Sequence, residues 1–457
     1  MINKSIFKSY DIRGIYPSEL NESAAYNIGR TFVKYSKAKN IVVGYDARLS
    51  SYDLYKALIQ GLIEEGAEVT NIGQLPTECL YFAVGNYDFD GGIMITASHN
   101  PKEYNGFKMI KKDKGEIVII RGKDLLPFVN YEKFNSKPEV KVKDIDILDD
   151  YLNYISKLIN VKDITNFKVI IDASNGVAGN VILKIKLPIE IISLNFRPDG
   201  NFPNHSPNPL DTGASNQIKN TIKKESADFG FMFDGDADRI FLVDENGKLV
   251  EADLVLLLLA KYFLQKSPSA KIIYNAVCSK AVPEFVKKWG GNPIRTKVGA
   301  VNVRDGLLKN EGIVGGEVSA HYSFKDYFYL DSGILAFFII LKIISEDKRK
   351  VSEIIKELSI YFKKDMNFEV ENPPLPVPPG RDGMGASKEE VIEKLKQKYS
   401  NSKQDFLDGL TIEYEDWWFN IRASNTEPLL RLTVEADTED LLNKKKKELT
   451  LFLMSAK

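Results

Sequence analysis

The sequence predicts an α/β protein made of three similar layered units and a fourth of different make-up. Three observations predict it. A strand–helix–strand–strand pattern recurs three times along the chain. The third strand of every copy ends in a cluster of polar residues. A proline-rich segment then sets the last part apart, with five prolines in residues 371–380, ENPPLPVPPG. Such a segment cannot continue a helix or a central strand and reads as a stiff loop or linker. Strands alternating with helices indicate layered α/β architecture with a largely parallel sheet.

The first copy opens on Ile41-Val-Val-Gly-Tyr-Asp46, a β-rich run ending in a turn residue. A helix over 52–66 follows, with apolar residues at helical spacing. The strands Ala67-Glu-Val-Thr-Asn-Ile72 and Gly92-Ile-Met-Ile95 come next, then the cluster Thr96-Ala-Ser-His-Asn-Pro101. The second copy runs Lys168-Val-Ile-Ile-Asp172, Ile189-Glu-Ile-Ile-Ser-Leu194 and Phe229-Gly-Phe-Met-Phe233, with a long proline-rich loop over 197–213. It ends in Asp234-Gly-Asp-Ala-Asp-Arg239. The third copy runs Lys271-Ile-Ile-Tyr-Asn275, Pro293-Ile-Arg-Thr296 and Ile313-Val314, and ends in Gly316-Glu-Val-Ser-Ala-His321. Three copies of one unit predict three similar domains. The expected boundaries are 1–150, 151–251, 252–368 and 369–457. Ligands bind beyond the carboxyl ends of strands in open α/β sheets, so the three clusters are expected to face one cleft.

Composition narrows the function. The 457 residues are 44% hydrophobic and 27% charged, which excludes a mostly disordered chain. Lys+Arg (62) nearly cancels Asp+Glu (63), so the chain as a whole has no reason to bind nucleic acid or an anionic membrane. The two cysteines, Cys79 and Cys278, stand outside any CxxC pair, which fits a reducing cytoplasm better than a disulfide scaffold. The opening MINKSIFKSYDIRG lacks the apolar core of a signal peptide. The most apolar stretches, 254–260 and 333–344, are shorter than the ~20 residues of a membrane span and read as core.

Asp234, Asp236 and Asp238 carry the strongest metal signal. Alternate carboxylates cannot converge in a straight strand but can on a tight loop, and all-oxygen ligands suit Mg²⁺ or Ca²⁺. An EF-hand would need Gly at the sixth position, where Arg239 stands, and helices on both flanks, where strands are expected. A solvated acidic turn is the plainer alternative. Ser98 alone would read as a helix cap or turn residue. A hydrolase elbow is not supported, because the G-x-S-x-G glycines are missing. His99, next in sequence, is expected to point away from Ser98. With Mg²⁺ and cations nearby, Ser98 fits a hydroxyl that carries a phosphoryl group, and Lys108 is a candidate cation or proton carrier. Glu317, Ser319 and His321 suit the hydroxyls of a sugar. Arg422-Ala-Ser-Asn-Thr-Glu-Pro428, with Arg431 nearby, reads as an anion-binding turn at a helix start, Pro428 lying in the first turn.

Taken together, Tyr10-Asp-Ile-Arg-Gly14 with Thr96-Ala-Ser-His-Asn-Pro101, then Asp234-Gly-Asp-Ala-Asp-Arg239, Gly316-Glu-Val-Ser319 and Arg422-Ala-Ser-Asn-Thr-Glu-Pro428 resemble the α-D-phosphohexomutase superfamily of phosphomannomutases and phosphoglucomutases. The resemblance implies a four-domain phosphohexomutase-like fold: three similar mixed-sheet α/β domains plus a smaller C-terminal α+β domain that closes over the cleft. It implies interconversion of hexose 1-phosphate and hexose 6-phosphate, of mannose and/or glucose, through a phosphorylated Ser98 and a hexose 1,6-bisphosphate. Mg²⁺ would be held by Ser98, Asp234, Asp236 and Asp238. Arg13, Lys108 and His321 match positions near the transferred group, where acid and base roles fall. Substrate contacts would come from Arg13, His99, Asn100, Arg239, Lys297, Glu317, Ser319 and His321, with a phosphate clamp of Arg422, Ser424, Asn425, Thr426 and Arg431. The partner expected is a small phosphosugar, with the chain either monomer or homodimer. Two departures stand out: Ala320 replaces the usual glycine before His321, and Val318 is uninformative about the sugar. Phosphoglucosamine mutase is the same-class alternative, and a non-catalytic phosphosugar or cation sensor the alternative of another class.

Overall fold

The computed structural model describes residues 2–137, 142–160, 164–369, 388–423 and 429–455. The proline-rich segment therefore lies outside the described residues, as do Ser424, Asn425, Thr426 and Pro428. Four sheets follow one another along the chain.

The first three sheets repeat one strand order. In each, the first strand of the copy lies in the middle, parallel to both neighbours, and the third strand is followed by an antiparallel strand beyond it. In the first sheet Asn40–Tyr45 lies between Glu68–Gln74 and Gly91–Ile95, with antiparallel Tyr104–Asp113 outside. In the second, Lys168–Asp172 lies between Glu190–Leu194 and Phe229–Phe233, with antiparallel Ile240–Val243 outside. In the third, Lys271–Asn275 lies between Asn292–Thr296 and Val314–Gly316, with antiparallel Tyr322–Phe324 outside. The sheets are thus mixed, each with a parallel centre and one antiparallel edge.

The central strands are continuous apolar runs, Ile41-Val42-Val43, Val169-Ile170-Ile171 and Ile272-Ile273, all fully buried. That pattern marks strands covered on both faces. The apolar stretches read as core are the helices Ala252–Lys266 and Gly333–Asp347. The second is capped by Ser332, whose side chain accepts from Leu335 N. Both join one hydrophobic cluster that runs from the helix Thr77–Asn86 through the second and third sheets. At roughly 1.5–3 kcal/mol for each fully buried large apolar side chain, this shared core welds the first three units together.

The fourth sheet is wholly antiparallel, in the order Phe362–Glu369, Leu429–Ala436, Trp417–Ala423, Leu410–Glu413, Lys403–Asp405. It has its own cluster with the helices Lys388–Lys398 and Glu439–Ser455. One expectation fails here. The segment after Arg422 leads into the strand Leu429–Ala436 and not into a helix. Arg422 pairs with Arg431 across an antiparallel hairpin. The strand follows from the buried apolar alternation of Leu430, Leu432 and Val434, which outweighs the helix-start signal of the sequence before it.

Candidate active site

Ser98 follows the buried strand Gly91–Ile95 and is itself buried. Its backbone is left-handed, with φ 53°. An L-residue rarely adopts this conformation, and here Thr96 Oγ1 accepts from Ser98 N at 2.8 Å. The conformation corrects one expectation: His99 does not point away. With the serine left-handed, the two neighbouring side chains converge, and His99 Nδ1 lies 3.2 Å from Ser98 Oγ. Burial, then the charges of Arg239 and Arg13, hold the His99 pKa well below the ordinary histidine value. Ser98 Oγ donates to Asp234 Oδ2 at 2.9 Å. Arg13, from the strand Ile12–Ile15, donates to Asn100 Oδ1 at 2.6 Å and to Asp11 at 2.8 Å.

The acidic turn lies between the strands Phe229–Phe233 and Ile240–Val243, which excludes the helix-flanked EF-hand. Asp234, Asp236 and Asp238 are buried, with ligand atoms within 4.8 Å of one another. Two devices make the turn fit. Ala237 adopts φ 62°, and Gly235 approaches the serine loop so closely that a Cβ there would sit 2.7 Å from Ser98 O. Burial, then Asp238 and Asp236, push the Asp234 carboxyl well above the usual carboxylate range, against the pull of Arg239 and Lys108. Lys108 Nζ lies on Asp236 at 2.6 Å and also on Asp238. Burial opposes its charge, but the two carboxylates prevail and raise its pKa well above the ordinary lysine value. Arg239 Nε is 3.6 Å from Asp234 and donates to His321 Nε2 at 2.9 Å. His321 Nδ1 faces Asp331 at 2.7 Å and Asp238 at 3.6 Å. Burial lowers the His321 pKa, but Asp238 and Asp331 outweigh it and leave it raised.

These residues fit a divalent cation. Three carboxylates face two fixed cations, and a phosphoryl group on Ser98 would add about two further negative charges. Asp236 Oδ1 and Asp238 Oδ1 are buried and accept no hydrogen bond among the described residues. Hard oxygen donors of this kind suit Mg²⁺.

The third cluster lines the same cleft. Glu317 is buried, accepts from Gly299 N at 2.9 Å and from Asn275 Nδ2 at 3.3 Å, and receives the Ser319 hydroxyl. Ala320, which stands where the resemblance expects glycine, itself holds a left-handed φ of 65°. Lys297 is exposed, at the head of the segment that leads to Gly299. Val298 N in that segment donates to Asp408 of the fourth unit at 2.7 Å. Arg422 is half-buried. Burial lowers its pKa, Asp408 pulls against that, and Arg431 adds to the lowering.

Four residues escaped the sequence reading. Thr77, at the start of the helix Thr77–Asn86, donates its hydroxyl to Asp236 Oδ2 at 2.5 Å. Asp331 backs His321. Asp46 and Arg48 lie behind the serine loop, with Arg48 Nη2 donating to Ser98 O at 2.8 Å.

Three α/β units of one strand order, a fourth antiparallel unit, and a cleft gathering a serine, three carboxylates and fixed cations together define the phosphohexomutase class. Sequence comparison agrees over the whole chain. Models of the phosphoglucomutase/phosphomannomutase α/β/α domains I, II and III match residues 4–120, 149–247 and 251–361, and the model of the family's C-terminal domain matches 366–451. The chain is 36% identical to a phosphomannomutase of Escherichia coli strain K12, covering 94% of each protein. It is 37% identical to a phosphomannomutase of Methanocaldococcus jannaschii, over 97% of this chain and 96% of that one. A crystal structure of a phosphoglucomutase/phosphomannomutase family protein from Burkholderia thailandensis superposes with a TM-score of 0.85 at 29% identity, over 100% of this chain and 98% of that one. The chain belongs to the phosphoglucomutase/phosphomannomutase family. It is a phosphohexomutase, an enzyme of the isomerase class.

Proposed function

We propose that this phosphohexomutase interconverts the 1- and 6-phosphates of mannose and glucose, using a phosphorylated Ser98, Mg²⁺ and a hexose 1,6-bisphosphate intermediate. The observation that carries the reading is Ser98 Oγ at 2.9 Å from Asp234, inside a nest of three carboxylates, Lys108 and Arg239. Asp234, Asp236, Asp238 and a phosphoserine oxygen would hold Mg²⁺. When bound, that ion would neutralise negative charge on the transferred group.

The remaining work falls to side chains. The bond from phosphorus to Ser98 Oγ breaks as one forms to the sugar's free hydroxyl oxygen, and the hydroxyl proton passes to the departing serine oxygen. In the second half the other phosphate returns to Ser98. Lys108 is held protonated by two carboxylates, so it acts as a fixed charge. His321 Nε2 already accepts from Arg239 Nε, so it orients that arginine. His99 Nδ1, 3.2 Å from Ser98 Oγ, lies within reach of that oxygen. Arg13 adds charge from the first unit. Glu317 and Ser319 read sugar hydroxyls, with Lys297 at the rim. Arg422, Arg431, Ser424, Asn425 and Thr426 grip the distal phosphate. That clamp must accept either phosphate in turn, so it should recognise phosphate geometry and not sugar identity. The two cysteines are buried and unpaired, which supports a cytoplasmic location.

The test is Ser98→Ala with intact-mass and peptide mapping. The wild-type protein is expected to carry phosphate on Ser98. The variant is expected to lose phosphate and turnover while still binding hexose 1-phosphate. Full mutase activity in the variant defeats the serine-carrier reading. A panel of mannose 1-phosphate, glucose 1-phosphate and glucosamine 6-phosphate ranks the sugars, and dominant turnover of the last assigns the alternative specificity.

A further inference from the structure

Behind the serine loop lies a buried arginine that none of the roles above uses. Arg48 occupies the turn between the strand Asn40–Tyr45 and the helix Ser51–Glu64 and is 2% exposed. A guanidinium has five N–H donors in a rigid plane. Arg48 spends them on five acceptors. Nη2 donates to Ser98 O at 2.8 Å and Asn100 O at 2.6 Å. Nη1 donates to Pro101 O at 2.6 Å and Tyr104 O at 2.9 Å. Nε donates to Asp46 Oδ2 at 3.1 Å. Four of the five acceptors are main-chain carbonyls of the serine loop.

Asp46 fixes the arginine in turn. Its carboxylate also accepts from Arg48 N at 3.0 Å and from the Ser51 hydroxyl at 2.6 Å. From the second unit, the ring of Phe202 lies 5.3 Å from the guanidinium carbon. Ser98 O is thus wedged between Arg48 on one side and Gly235 of the acidic turn on the other.

We propose that Arg48 is the positioning residue of the phosphoryl-carrying serine. This rests on the reading of Ser98 as that carrier. Arg48 spends all five of its side-chain N–H donors on protein acceptors, which leaves none for a ligand. It clamps the loop at four carbonyls, keeps Ser98 in its left-handed conformation, and so sets where Oγ stands relative to the carboxylate cluster. Lysine cannot substitute, because one ammonium with three donors cannot reach four carbonyls and Asp46 together.

The experiment compares wild type, Arg48→Lys and Arg48→Ala in three measurements: thermal melting, steady-state kinetics with mannose 1-phosphate, and loading of Ser98 from hexose 1,6-bisphosphate followed by intact mass. Displacement of a reacting group by about 1 Å costs on the order of 100-fold in rate. Arg48→Lys is therefore expected to stay folded, with kcat and the Ser98 loading rate both down by about that factor and KM little changed. Guanidinium chloride, well below denaturing concentration, is expected to restore part of the rate to Arg48→Ala, while sodium chloride does not. An Arg48→Lys enzyme that melts lower but loads and turns over like wild type assigns Arg48 to stability alone and overturns the proposal. Unfolding of both variants at the assay temperature overturns it equally. Absence of phosphate on Ser98 in the wild-type protein would defeat the carrier reading instead, and the loading measurement separates the two failures.

Discussion

The contact from Thr77 to Asp236 makes the sharpest prediction. Thr77 sits at the head of a helix in the first unit, and its hydroxyl donates at 2.5 Å to a carboxylate of the second. Both residues are fully buried, so water cannot replace the donor. Valine has nearly the same shape and removes only the hydroxyl. Asp236 Oδ2 keeps Lys108, and the main-chain bond from Thr77 N to Asp236 O at 3.1 Å survives. The loss is therefore one hydrogen bond to a charged acceptor, worth roughly 1.5–3 kcal/mol. At about 1.4 kcal/mol per tenfold, that is a ~10- to 100-fold weaker hold on the cation, as is usual for groups that orient metal ligands. Calorimetric titration of Thr77→Val with Mg²⁺, together with activity as a function of Mg²⁺ concentration, measures it. The expected outcome is a raised half-saturation, near-normal kcat at saturating Mg²⁺ and a melting temperature lowered by only a few degrees. A half-saturation equal to wild type would refute the claim that Thr77 orients a metal ligand.

Three more outcomes follow from the same geometry. Lys108→Met removes one of the two cations facing three carboxylates. Mg²⁺ should bind more tightly by calorimetry while kcat falls on the order of 100-fold; unchanged turnover would remove Lys108 from the site. Arg422→Lys gives up the bidentate fork and should raise KM for hexose 1-phosphate and hexose 6-phosphate alike, by on the order of tenfold. An effect on only one of them would contradict a clamp that serves both. Glu78, fully buried, accepts from Tyr151 OH at 2.6 Å and Ile334 N at 3.0 Å and receives the Ser332 hydroxyl. Burial pushes its carboxyl up to about 8 despite these donors. The folded state then holds a proton that the unfolded state releases near its ordinary value, so stability should fall as pH rises towards and through 8. Melting of wild type against Glu78→Gln from pH 6 to 9 tests the sign, the variant giving the flatter profile.

The fold was legible because its signals are periodic and local. The runs opening copies two and three coincide with the observed strands Lys168–Asp172 and Lys271–Asn275. Three polar clusters at the ends of third strands pointed to one cleft, and Ser98 does meet Asp234. What stayed hidden is what depends on backbone handedness or on contacts between distant units. Nothing local announces that Ser98 is left-handed, so the turn of His99 towards it was missed. The hairpin at Arg422 was mistaken for a helix start because Ser, Asn and Pro serve both ends. Thr77 and Arg48 look like ordinary residues at strand and helix ends. Yet Asp46-Ala-Arg48 follows the first strand of its copy at the carboxyl end, and the rule applied to third strands pointed there too.

The site belongs to no single unit. Ser98 and Lys108 come from the first, the carboxylates and Arg239 from the second, and His321 and Asp331 from the third. The helix Thr77–Asn86 reaches both of the other two with its first two residues: Thr77 holds Asp236 of the second, and Glu78 holds Ser332 and Ile334 of the third. A rotation of any of these three units would break buried hydrogen bonds directly beneath the cleft. The fourth unit is joined differently. Its fixed points, Lys363 on Asp253 and Glu435 accepting from Lys280 N at 2.9 Å, lie together at one joint. Among its further ties are the half-buried bond from Val298 N to Asp408 on the cleft side and Arg295 Nη2 donating to Thr411 Oγ1 at 3.2 Å. Motion that keeps the joint and breaks the cleft-side bond disturbs no residue around Ser98. In the proposed mechanism the bisphosphate turns end over end, and release of the fourth unit would make room for that turn while the wall built by the first three units stays in place.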